Sequence, residues 1–217
     1  ARRRARRRAP ALAGPAAALS VARLVTRTLA ACLAITSGIH VLVYLLSATL
    51  PLHVIALGGS KTQVGLLFAV SAGVSMLLRP VVGGWVDRYG FRPVMLPGAA
   101  VLLVTLAALP LAHAPALLIA LMAGIGFGNG LISTGAGVLA AQASPAERRG
   151  EALGVYYVAT ALSFSVGPPL GLFLYGSGDM GPCFAAAAVL GVGILVLVWG
   201  VAGGPAAGLS ARGFPWF

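Results

Sequence analysis

Along the chain, six long apolar runs alternate with short polar breaks. The runs occupy residues 29–57, 62–82, 93–112, 116–141, 152–175 and 182–202. Each is near the ~20 residues an α-helix needs to cross a bilayer. Lipid gives the backbone no hydrogen-bond partners, so runs of this length predict helices and not open strands. The breaks carry turn residues or charge: Gly58, Gly59, Ser60 and Lys61 after the first run, Asp87 and Arg88 after the second, Glu147, Arg148 and Arg149 after the fourth. The expected fold is an all-α membrane protein with six transmembrane helices. Residues 1–28 form a basic tail rich in Ala, Arg and Pro, 29–202 the helical unit, and 203–217 a short C-terminal tail.

Composition agrees. Of 217 residues, 59% are hydrophobic and 9% charged, with a mean hydropathy of +0.97. A soluble domain carries about 25% charged residues, so an ordinary soluble enzyme is excluded, as is a disordered chain. The partner such a surface requires is the lipid bilayer.

The formal charge of +11 does not indicate nucleic acid. Arg2, Arg3, Arg4, Arg6, Arg7 and Arg8 crowd into the tail, and no basic stripe is interleaved with stacking aromatics. The remaining charges instead set a topology. Six spans place the tail, Arg88, Arg92, Arg148, Arg149 and Arg212 on one side, with Arg79 near that face at the end of the second run. The other side holds Lys61. The positive-inside rule then puts both termini in the cytoplasm of a multi-pass protein of the cell (plasma or inner) membrane. Cys32 and Cys183 lie inside apolar runs and read as packing residues. No metal-ligand spacing and no catalytic constellation is visible, so the chain reads as a non-enzyme without a cofactor.

The break after the second run reads Gly83-Gly84-Trp85-Val86-Asp87-Arg88-Tyr89-Gly90-Phe91-Arg92. It resembles the signature of the major facilitator superfamily between spans 2 and 3, with Gly83, Asp87, Arg88, Gly90 and Arg92 on the defining positions. Phe91 departs from the first basic position of the closing pair. A small residue at Gly83 permits close helix approach, and Gly90 a tight turn. The acid can meet a helix N-terminus, and the arginines acids or anionic lipid. The resemblance implies a cytoplasmic latch acting during alternating access.

Two further stretches are similar to the same family. Pro145, Arg149, Gly150 and Gly154 match its loop between spans 4 and 5. Gly154, Gly167, Pro168 and Gly171 match an antiporter motif in span 5, with Ser163 in place of one glycine and Leu172 in place of the last. In efflux antiporters that small-residue face packs on the other half of the transporter; the plain alternative is a kinked helix. Pro168 and Pro169 each remove a helical hydrogen bond. In span 4, Ala120 and Ala123 stand where such antiporters carry the Arg and Gln linked to proton coupling. The glycines from Gly124 to Gly130 remain as a close-packing surface.

His40 is the titratable group nearest the middle of a span, with Tyr44 one turn on. An intramembrane ionisable residue is a functional candidate, against the reading of a neutral histidine bonded to a neighbouring helix. Asn129, Ser133 and Thr134 either line a cavity or bond between helices.

The resemblance implies one half of a secondary transporter, exporting a small-molecule substrate with protons as the coupling ion. Complete members hold cargo between two halves. The length therefore suggests a chain truncated to its first half, lacking the second or compensating by self-association. The alternatives are a non-transporting six-helix scaffold or an inactive fragment.

Overall fold

The computed structural model describes residues 27–176 and 178–202. Residues 1–26 and 203–217, with the tail arginines and Arg212, lie outside the described residues. Six helices follow: α1 Arg27–Ala56, α2 Lys61–Tyr89, α3 Phe91–Ala108, α4 Pro115–Gln142, α5 Arg149–Leu174 and α6 Gly181–Ala202. Single 3-10 turns, Leu109–Leu111 and Ala146–Arg148, follow α3 and precede α5. All six are long and apolar enough to cross a membrane, and no strand occurs among the described residues.

Helix starts and stops follow local chemistry. The Ser60 hydroxyl accepts from the Gln63 amide at 3.3 Å, while the Gln63 side chain accepts from the Ser60 amide at 2.8 Å, a reciprocal cap that starts α2. Gly90, with φ +84°, both ends α2 and begins α3. A side chain there would be strained, so the reversal needs glycine.

Several features differ from the apolar runs. Helix α2 continues past Val82 to Tyr89, so Gly83 to Tyr89 are helical and the interhelical break shrinks to Gly90. Polar side chains at a membrane surface do not stop a helix whose backbone bonds are satisfied internally. Helix α5 begins at Arg149, so Gly150 and Glu151 are helical. Pro168 and Pro169 lie inside a helix that runs unbroken to Leu174. They remove donors without ending it, as helices in lipid tolerate.

Helices α1 and α4 occupy the middle. Helix α1 packs on α5, α6 and α4; α4 packs on α2 and α3; α3 and α6 pack together behind them. The glycines of α4 explain its tight seating. A Cβ on Gly124 would strike the Thr105 side chain of α3, and one on Gly128 would come 2.7 Å from Leu102 of α3. The alternate pair faces the other way: a Cβ on Gly126 would strike the Ser71 backbone of α2, and one on Gly130 would approach Ser75 at 3.2 Å. Two small-residue pairs at i, i+4 thus sit back to back, each letting a different helix backbone approach closely.

The small-residue face of α5 packs within the bundle. Gly167 lies under Tyr44 and the Val41 carbonyl of α1, and Gly171 under the Leu45 carbonyl. Ser163 donates to the Ser37 carbonyl at 3.3 Å. The expectation that this face waits for another half is corrected at Ser163, Gly167 and Gly171. Only their registration with the backbone of α1, invisible in sequence, decides which helix they meet. Burial then separates the helices. In the most apolar stretch, 44% of α1, α3 and α4 is buried, against 11% of α2 and 17% of α5. Helices α2 and α5 flank the bundle with large exposed apolar faces, including Met76, Leu77, Leu162 and Phe164.

Candidate functional site: a cavity between four helices

Helices α1, α2, α4 and α5 enclose an open cavity of about 600 Å³. Helix α1 contributes His40 and Tyr44, α2 Arg79, α4 Ser133 and Thr134, and α5 Tyr156, Tyr157 and Thr160. Ala141, next to the end of α4, and Leu153, near the start of α5, also line it. The cavity therefore reaches from mid-bundle towards the end bearing the α2–α3 and α4–α5 connections.

His40 shares this cavity with Tyr44, their ring centroids 6.0 Å apart. Its Nδ1 lies 2.8 Å from the Thr36 carbonyl oxygen. A carbonyl only accepts, so Nδ1 carries the proton in this bond and Nε2 remains for the cavity. The histidine bonds to its own helix, not to a neighbour. Tyr44 stands edge-on to Phe164 at 5.1 Å. The Tyr156 hydroxyl donates to the Ser133 carbonyl at 2.8 Å, tying α5 to α4 across the cavity floor.

Asn129 is elsewhere. Its amide donates to the Ser75 hydroxyl of α2 at 3.4 Å, and it does not line the cavity. As a cavity residue it is corrected to an interhelical one, because its position on α4 faces α2 in the Gly126–Gly130 register. Ser133 and Thr134, one turn on, do reach the cavity. Sequence reasoning missed Arg79, Tyr156 and Tyr157. Arg79 looked like a topological charge at the end of a span. With α2 extended to Tyr89, it stands ten residues inside the helix end, ~15 Å along the axis.

The motif residues collect at the same end of the bundle. Asp87 and Arg88 are exposed on the last turn of α2. Among the described residues Asp87 makes no ion pair, and the arginines meet aromatic rings: Arg88 lies 5.4 Å from the Tyr89 centroid and Arg92 5.0 Å from that of Trp199 on α6. Of the two expected partners, acids or anionic lipid, neither arginine has an acid in an ion pair among the described residues, and both guanidiniums lie by aromatic rings. Gly83 admits no close helix: a Cβ there would meet nothing within 4 Å. Gly150 and Gly154 are equally open. Pro145 accepts from the Arg148 amide at 2.9 Å, shaping the turn before Arg149 opens α5. The ion pair here belongs to Arg148 and Glu151, 2.6 Å apart.

Six helices long and apolar enough to cross a membrane, with a polar, aromatic cavity between four of them, define an all-helical membrane bundle. The sequence profile of the Major Facilitator Superfamily matches residues 28–213. The chain belongs to that family and is a multi-pass membrane protein. It is 33% identical over 116 residues to a synaptic vesicular amine transporter of Bos taurus, a match covering 53% of this chain and 22% of the relative. It is 32% identical over 126 residues to a multi-drug resistance efflux pump PmrA homolog of Lactococcus lactis, covering 56% of this chain and 31% of the relative. A chromaffin granule amine transporter of Homo sapiens is 30% identical over 115 residues, covering 52% and 22%. The chain thus matches less than a third of the length of these relatives.

Proposed function

We propose that this chain forms one half of a secondary transporter that exports small molecules by alternating access. The cavity between α1, α2, α4 and α5 carries this reading, since it gathers polar and aromatic side chains at membrane depth, where they are costly unless used. The exposed flanks of α2 and α5 and the open sites at Gly83 and Gly154 suit a second six-helix half, or a second copy of this chain, closing the cavity from the facing side. The arginine-bearing end is cytoplasmic by the positive-inside rule, so the cavity opens inward. Export is favoured by the efflux pump among the relatives. Protons are the proposed coupling ion, and His40, with Nε2 towards the cavity, is the group on this half that can carry one.

Gly83, Asp87, Arg88, Gly90 and Arg92 act as the cytoplasmic latch, with the Arg149 turn beside them. Asp87 is exposed and without an ion-pair partner within the bundle, so its charge is available to the facing half. In sealed vesicles containing the assembled transporter, Asp87→Asn is expected to lower proton-driven export about ten-fold or more while membrane insertion stays normal. Export unchanged by Asp87→Asn removes the latch. No gradient-driven flux in the wild-type assembly removes the transport reading.

A further inference from the structure

The charge of the cavity wall has a chemical consequence for what the cavity holds. The described residues contain four carboxylates, Asp87, Glu147, Glu151 and Asp179, and none lines the cavity. All four belong to helix ends or connections. The permanent charge facing the cavity is the Arg79 guanidinium. It forms no ion pair and no hydrogen bond among the described residues, yet it is close enough to interact electrostatically with His40 and Tyr156.

An unpaired arginine well inside a membrane helix is costly, and such residues mark ion or substrate pathways. Helix α2 is 29 residues long, so its midpoint falls near Ser75, about 6 Å from the level of Arg79. The side chain lines the cavity and is exposed on this half of the bundle. A guanidinium presents a fork of donors matched to a carboxylate. Tyr44, Tyr157 and His40 add ring faces and single polar atoms around it, a setting for an aromatic or amphipathic body.

We infer that the cavity wall supplied by this chain selects an organic anion, an aromatic carboxylate above all, with Arg79 as its electrostatic anchor. The inference rests on the cavity being the solute site, and the test separates the two. Thr134 is half-buried and lines the cavity, so Thr134→Cys reports on it. Native Cys32 and Cys183 are buried and supply the blank. The full chain in lipid nanodiscs is reacted with anionic sulfonatoethyl methanethiosulfonate and with its cationic trimethylammonioethyl analogue, each rate normalised to a free thiol.

The expected result is an anion preference of about ten-fold, retained in Arg79→Lys and lost in both Arg79→Gln and Arg79→Ala. Benzoate slows the labelling, and benzylamine at equal concentration does not. A cation preference, no preference, equal protection by the two ligands, or an anion preference that survives Arg79→Gln overturns the inference while leaving a water-filled cavity. If neither reagent reaches Thr134→Cys, the cavity itself is refuted as a solute site, and the inference falls with it.

Discussion

Replacing Gly126 with valine is expected to detach α2 from α4. The Cβ alone would strike the Ser71 backbone, and no rotamer change relieves a clash with main chain. The helices must separate or slide, exposing the contact that also brings Gly130 against Ser75 and Asn129 to its 3.4 Å bond with the Ser75 hydroxyl. Overpacking typically costs about 1–3 kcal/mol, and a backbone contact belongs at the upper end. For a chain of this size that corresponds to roughly a 10 °C fall in apparent Tm. Thermal unfolding of the detergent-purified variant, followed by the monodisperse fraction, checks it. Gly83→Val is the control: its Cβ meets nothing within 4 Å, and the expected change is about a degree or two. Equal damage from both substitutions contradicts the packing described for α4.

The second large effect is at Gly167. A Cβ there would lie 2.6 Å from that of Tyr44 and 3.0 Å from the Val41 carbonyl. Gly167→Leu should force α5 away from α1, break the Ser163 bond to Ser37, and displace Tyr44 from the cavity rim. Destabilisation of about 3 kcal/mol is expected. The consequence reaches the cavity, because Tyr44 is both the packing partner of Gly167 and a lining residue. Gly154→Leu, on the same helix and in the same sequence motif, should leave apparent Tm nearly unchanged, since the site is open. If the α5 glycines served only an external partner, Gly167→Leu would leave the isolated chain as stable as Gly154→Leu does. Differential scanning of the two purified variants distinguishes the cases.

Much of the helical framework is legible in the sequence because lipid enforces it. Runs such as 93–112 and 182–202 have no alternative to helix, and the elements α3 and α6 lie within a few residues of them. The α4 glycines were legible as a packing surface, though not that Gly124 and Gly128 serve α3 while Gly126 and Gly130 serve α2. That division depends on where α4 sits between its neighbours. The motif between α2 and α3 showed its turn at Gly90, but the charges around it suggested a loop where the chain is helical.

The site was read less completely. His40 and Tyr44 share one helix turn, so their common face follows from spacing alone. Arg79, Ser133 and Tyr156 come from three helices, and no local pattern announces their meeting. The positive-inside rule treated Arg79 as one more cytoplasmic charge, because the rule counts arginines near span ends without asking which way they face. For Asn129 the spacing leaves a cavity role and an interhelical bond both open, and the structure shows the bond. Four residues before Ser133, it bonds to the flank helix and not into the cavity.

On the proposed function, this cavity is a solute pathway exposed to the two sides of the membrane in turn. Its most direct test is the sidedness of Thr134→Cys labelling by an impermeant thiol reagent, in intact cells and in inverted vesicles of the same membrane. A cysteine at Arg149 fixes the cytoplasmic side and one at Lys61 the outer side. Reaction is expected at Arg149→Cys only in inverted vesicles and at Lys61→Cys only in intact cells. Thr134→Cys should react from both sides, with an imposed proton gradient shifting the ratio between them. Labelling of Thr134→Cys from one side alone, unmoved by the gradient, would contradict alternating access through this cavity.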